Sequence, residues 1–160
     1  MNGREAIRLG LDMAEFVSLA YLQDLAPADL LHRPCPGANH IAWQLGHLIV
    51  AEHELIEKVC PGRMPALPAG FAGRYTKETC TSDNPADFHS SDEFLAAYRT
   101  QRAGTLSALN ALTDADLDAA SGVDYAPNVG GIFSMQGSHW LMHAGQWAVI
   151  RRQMGRPPLF

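Results

Sequence analysis

A chain of 160 residues with 47% hydrophobic and 18% charged residues has the composition of a soluble globular protein, long enough to bury one sizeable core. Its net charge of -5, with no clustered run of Lys and Arg, repels a phosphate backbone, so no nucleic-acid partner is expected. No window nears the roughly 18 apolar residues of a membrane span, and Arg4, Glu5, Arg8, Asp12 and Glu15 interrupt the N-terminal stretch that a signal peptide needs apolar.

These features predict one domain over residues 1–160, cytoplasmic and without a membrane partner. Residues from about Glu5 to Leu25 carry Leu9, Met13, Phe16 and Ala20 at spacings of four, three and four, which is one helical face. Ala26-Pro27 closes that helix, and the Pro34, Pro36 and Gly37 cluster breaks the chain again. Asn39 is then an N-cap candidate for a second helix that runs to Pro61-Gly62. That helix is apolar nearly all round, so burial on several sides is expected.

From Pro61 to His89, prolines 61, 65, 68 and 85 with Gly62, Gly70 and Gly73 allow no long regular element. A connection of this length is often functional, and a lid over the site mouth is one reading. Ser90 with Glu93 forms a capping box for a third helix reaching about Leu112, with Tyr98, Arg102, Thr105 and Leu109 on one face. Thr113 to Asp116 restarts a short turn, residues 124–131 read as loop, and Ser134 is the expected cap of a fourth helix ending at Gly155. With no strand signal, the pattern predicts an all-α four-helix bundle with a long crossover connection between helices 2 and 3.

Three cysteines, Cys35, Cys60 and Cys80, are odd in number and lack CxxC spacing, so free thiols are expected. The seven histidines carry more information. His139 and His143 stand four apart, one helical turn on one face, so both imidazoles can reach a single ion. Their neighbours Trp140, Leu141, Met142 and Trp147 are apolar, and a shared metal is one way to satisfy two rings in such a setting. His47, beside Gly46 in the middle of the second helix, is the expected third ligand. Gly46, Gly137 and Gly145 suggest close approach of a facing element or ligand. His40, Trp43 and Glu54 share the His47 face, with Glu54 a lesser candidate for fourth ligand or general base. His53 lies about 120° around from His47 and is expected at the surface. His32 and His89 fall in loops. Gln146 is placed to orient a ligand or a bound water, or to make an interhelical contact. No residue is assigned a catalytic role.

The stretch from Asn39 to His47, with Ser138-His139, the run His143-Ala144-Gly145-Gln146, Arg151 and Gly155, resembles the DinB-like superfamily along the whole chain. That family includes YfiT-type metal-dependent hydrolases and thiol transferases. The resemblance implies a four-helix bundle holding one divalent ion through His47, His139 and His143, with zinc or nickel first and iron or manganese as alternatives. It also implies a homodimer, and a small-molecule substrate such as a low-molecular-weight thiol. The related ergothioneine-forming oxidases carry a carboxylate where this chain has Gly145, which argues against that activity. Three neutral ligands leave an ion one open position, the arrangement of catalytic sites. A metal-dependent thiol transferase or hydrolase is therefore expected, with a non-catalytic metal- or ligand-binding dimeric scaffold as the alternative.

Overall fold

Local capping chemistry sets most helix starts. In the computed structural model, which describes residues 1–160, α1 (Gly3–Leu22) begins at Asn2, whose side chain and that of Glu5 cap each other's backbone N–H groups. The third long helix, α3 (Ser91–Asn110), begins with the expected Ser90–Glu93 capping box. Thr113 and Asp116 make another box for the five-residue α4 (Asp114–Asp118). Such caps are each worth about 1 kcal/mol, enough to place a helix start by sequence alone.

Two starts differ from expectation. For α2 (Ile41–Val59) the cap is His40 rather than Asn39, because its Nδ1 accepts from the Trp43 N–H at 3.1 Å. The last helix, α5 (Val129–Gln153), starts at Asn128, well before the expected Ser134. Asn128 Oδ1 takes the Gly131 N–H at 2.8 Å. A Cβ on Gly130 would come within 3.3 Å of the Leu117 carbonyl oxygen, so the glycines that read as loop admit close packing against α4.

A second correction concerns strands. Residues Ala120–Val123 (β1) and Ala126–Asn128 (β2) pair antiparallel, where no strand was expected. Both strands are too short to show a period-two pattern. Gly122, at φ 68°, lies within β1 where the register shifts between Ala120 and Val123, a left-handed position that favours glycine. The long connection over 61–89 holds only single 3₁₀ turns at Ala72–Arg74 and Pro85–Asp87, as its prolines and glycines foretold.

The helices pack α1 on α5, and α2 between α3 and α5. A Cβ on Gly137 would sit 3.0 Å from the Gly10 carbonyl oxygen, so the α1 and α5 backbones cross in near contact there. The core around α2 and α5 contains Trp43, Tyr98, Trp140 and Trp147, and a second cluster toward the other end holds Leu11, Ile56, Leu109 and Phe133. From Ile41 to Gly46 every residue of α2 is buried, in keeping with its apolar circumference.

In α1, Leu11, Ala14 and Ser18 face inward. Leu9, Met13 and Phe16 of the periodic stripe are 57–61% exposed and point to solvent instead. No helix is long and apolar enough to cross a membrane.

A buried ion pair joins three helices. Arg102 Nη2 donates to Glu52 Oε2 at 2.9 Å, Thr105 Oγ1 to Glu52 Oε1 at 2.7 Å, and Trp140 Nε1 to Glu52 Oε2 at 3.0 Å. At the end of α5, Arg151 is buried and bound to Asp24 and to the Tyr21 carbonyl, so its guanidinium serves the α1–α5 junction rather than the helix dipole alone. The side-chain bond to Arg151 holds the Asp24 carboxyl at about 2.

Candidate metal centre

His47 is supplied by the middle of α2, and His139 and His143 by successive turns of α5. Each offers one ring nitrogen, and these three atoms lie within 4.8 Å of one another. The ring of His47 lies 5.3 Å from that of His139 and 5.7 Å from that of His143, centroid to centroid, and the α5 pair is 5.0 Å apart. The sequence-predicted trio is therefore brought together. Such a group could hold a metal ion, since nitrogens about 2.0–2.1 Å from a common centre can be at most about 4 Å apart and small rotamer shifts achieve this.

Packing explains why the rings face one another. Trp140, one residue from His139, is anchored by its indole N–H to buried Glu52, which sets the rotation of α5 about its axis. On α2, the Trp43 indole stacks on the His47 imidazole at 4.9 Å with an interplanar angle of 7°. Trp43 Nε1 in turn donates to the Thr76 carbonyl at 3.1 Å and to Thr79 Oγ1 at 3.3 Å. The 61–89 connection thus buttresses the back of His47.

Burial pulls the proton affinity of the trio down. His139 and His143 are lowered to about 4, first by desolvation and then by repulsion from the neighbouring histidines. His47 is lowered by the same desolvation, opposed by the charge of Glu54. Neutral rings at pH 7 are in the form that binds cations. His143 Nδ1 lies 2.9 Å from Gln44 Oε1, while His47 and His139 have no hydrogen-bonding partner in the protein. Two half-buried imidazoles and one buried one, with ring nitrogens brought close to each other and no acid among them, suit a soft-to-borderline divalent cation.

The other singled-out residues lie elsewhere. Glu54 is exposed and outside the cluster. His40 caps α2 and contacts the Ser82 carbonyl through Nε2 at 3.0 Å. His53 is half-buried against Gln101 Oε1 at 3.0 Å, not free on the surface. His89 meets the Tyr75 hydroxyl at 2.5 Å, and His32 meets Gln153 Oε1 at 3.3 Å. Gln146 Oε1 accepts from Gln44 Nε2 at 3.1 Å, the interhelical contact rather than a direct approach to the trio. The glycine expectation holds for two of three positions. A Cβ on Gly46 would strike the Tyr75 ring at 2.2 Å and Gly137 abuts Gly10, but Gly145 faces open space. All three cysteines are free thiols, with burial pushing Cys60 up.

Sequence reasoning missed Gln44 and Glu52. Both were legible as polar residues inside an otherwise apolar helix, where a buried polar group must find partners. It also gave no hint of a cavity of about 720 Å³ between α1, α2 and α3, lined by Leu45 and Ile49 of α2 and by Trp140 of α5. None of the three histidines borders it.

No match was found among curated proteins or among solved structures. A family model described as the DinB superfamily matches residues 11–147, a span that contains His47, His139 and His143 together with the helices that carry them. The chain belongs to the DinB superfamily.

Proposed function

We propose that this chain is a small metal-dependent enzyme that transfers a low-molecular-weight thiol to an electrophilic small molecule, with His47, His139 and His143 as the ligands of one divalent cation. The observation that carries the reading is the convergence of three neutral imidazoles with no carboxylate in the group. A cation held there would keep its full charge and an open position, and would supply the Lewis acidity that lowers the pKa of a thiol or water. Three imidazole donors suit zinc, nickel, iron and copper alike, and the family resemblance favours zinc or nickel, with iron or manganese as alternatives.

The protein's own residues supply position and dryness. Trp43 closes one face of His47 to water, and the Glu52 network holds α5 in register. Transfer requires that the thiol proton pass to solvent and that a sulfur lone pair form the new bond to carbon. The leaving group departs with its bonding electrons. Hydrolysis by the same residues is the close alternative, but no carboxylate base stands in the cluster, and Glu54 is exposed outside it. Thiol chemistry needs a base less, because a thiol ionises near neutrality once its pKa falls.

A homodimer belongs to the same reading. Leu9, Met13 and Phe16 present a regular apolar stripe to solvent on α1, the kind of self-complementary face that a second copy covers.

The test is elemental analysis of protein expressed without added metal, followed by conjugation assays with several cellular thiols and a model electrophile. One equivalent of metal and a thiol-dependent rate abolished by chelation is the expected result. Metal without any thiol-dependent or hydrolytic turnover would favour the scaffold reading, which draws support from the way the trio ties α2 to α5.

A further inference from the structure

Gln44 is completely buried on α2, one turn before His47 and facing α5. Its side-chain amide makes every hydrogen bond that it can, and two of the partners are unambiguous. Trp147 Nε1 can only donate, and it lies 2.7 Å from Oε1. The Asn39 carbonyl can only accept, and it lies 2.6 Å from Nε2. The amide therefore has one orientation, with its oxygen toward α5. The second N–H goes to Gln146 Oε1 at 3.1 Å. One acceptor site on Oε1 remains, and His143 Nδ1 occupies it at 2.9 Å.

An acceptor facing an imidazole nitrogen requires that nitrogen to carry the proton. His143 is then the Nδ1–H tautomer, and its Nε2 keeps a lone pair. We infer that Gln44 is a positioning residue which fixes this tautomer before any cation arrives and reserves His143 Nε2 as the ligand atom. The inference rests on the metal-binding reading for its consequence, but the tautomer itself is a property of the metal-free protein.

The choice of an amide has a further effect. Metal-binding histidines often donate to a carboxylate, which makes the ring a more basic ligand. A neutral carbonyl orients the ring equally well without adding negative charge. The three rings and the Gln44 amide then carry no charge, and a bound cation retains its attraction for an anionic sulfur or oxygen. Trp147 acts one step further out, by filling the other acceptor site so that Gln44 cannot rotate away.

The tautomer is read from long-range ¹H–¹⁵N correlations of the histidine rings in wild-type protein stripped of metal. A protonated Nδ1 and bare Nε2 at His143 is expected, and the reverse pattern overturns the proposal. Metal affinity is then compared for wild type, Gln44→Met and Gln44→Glu by competition with a chelating dye, using zinc. Gln44→Met keeps the shape but has no acceptor, so His143 should lose its preference for the Nδ1–H form and zinc affinity should fall about 10–100-fold. Gln44→Glu keeps an acceptor and should retain both the tautomer and affinity at or above wild type, while its melting temperature falls because the Asn39 carbonyl loses its donor. A Gln44→Met protein that folds, keeps the tautomer and binds zinc as wild type does would refute the role. If Gln44→Met does not fold, the wild-type ring spectrum and Gln44→Glu still decide. Failure of wild type to bind any metal, with the Nδ1–H tautomer present, would sink the metal reading and leave the positioning of His143 standing.

Discussion

The indole of Trp43 lies flat on the imidazole of His47, 4.9 Å away and only 7° from parallel, while its N–H is held by Thr76 and Thr79 from the 61–89 connection. Both residues stand on α2, one turn apart, so the stack links the connection to a prospective metal ligand. Trp43→Ala should cost about 3–5 kcal/mol of stability through the lost buried ring. It should also weaken metal binding by more than Trp43→Phe, which preserves an aromatic surface under His47. Chemical denaturation and metal titration of both variants check this. Equal metal affinity in wild type and Trp43→Ala would show that the stack does not hold His47.

Removing a ligand should remove the ion without unfolding the chain. His47→Ala and His143→Ala are each expected to lose stoichiometric metal in elemental analysis. Both should keep the melting temperature of metal-free wild type to within a few degrees, because the core around α2 and α5 is built from Trp43, Trp140 and Trp147 rather than from the trio. Variants that melt far below the metal-free protein would point to a structural staple.

The depressed proton affinities predict how the metal-free protein responds to acid. His139 and His143 sit at about 4 in the folded chain, against about 6.5 when unfolded. Between those values the unfolded chain binds more protons. Stability should therefore be full above about 6.5 and decline as pH falls toward 4. Denaturation midpoints measured across this range should lose that slope in a His139→Ala, His143→Ala double variant. An unchanged slope would mean that the two rings are solvated and ordinary.

The Glu52–Arg102 pair is almost wholly shielded from solvent, at 2% and 4% side-chain exposure. Removing one charge leaves the other stranded, so Glu52→Ala should cost about 3–5 kcal/mol. Arg102 also has two guanidinium nitrogens, Nε and Nη1, without partners, so the pair is not fully compensated. A double change to Glu52→Leu with Arg102→Met should recover much of that loss. Urea denaturation of wild type, Glu52→Ala and the double variant is the check, and a double variant no more stable than Glu52→Ala would contradict it.

If the α1 stripe is covered by a second copy, Met13→Glu with Phe16→Glu should convert a dimer to a monomer in light scattering while leaving metal content unchanged. A wild-type monomer at every concentration would remove the dimer from the proposal.

Local features were the most legible in the sequence. Capping boxes such as Ser90 with Glu93 depend on residues three apart, and the His139–His143 spacing needs only a helix to become geometry. What escaped was relational. The Leu9–Met13–Phe16–Ala20 period announces a face but not its direction, and the opposite, less regular face with Leu11, Ala14 and Ser18 went inward. Small residues there allow α1 to lie against α5, where Gly10 meets Gly137. Gln44 and Glu52 looked like interruptions in an apolar helix because their partners, Trp147, Arg102 and Trp140, come from distant parts of the chain.

The contact between Gly46 and the Tyr75 ring reaches beyond its own packing. The aromatic ring occupies the volume that any larger residue on α2 would claim, directly beside His47. Lengthening or shortening the chain between α2 and Tyr75 would withdraw the ring and open a gap on α2 beside the position of His47. Change in that connection is consequently coupled to the second helix. Variants that alter its length should diversify the site only when position 46 is allowed to change with them.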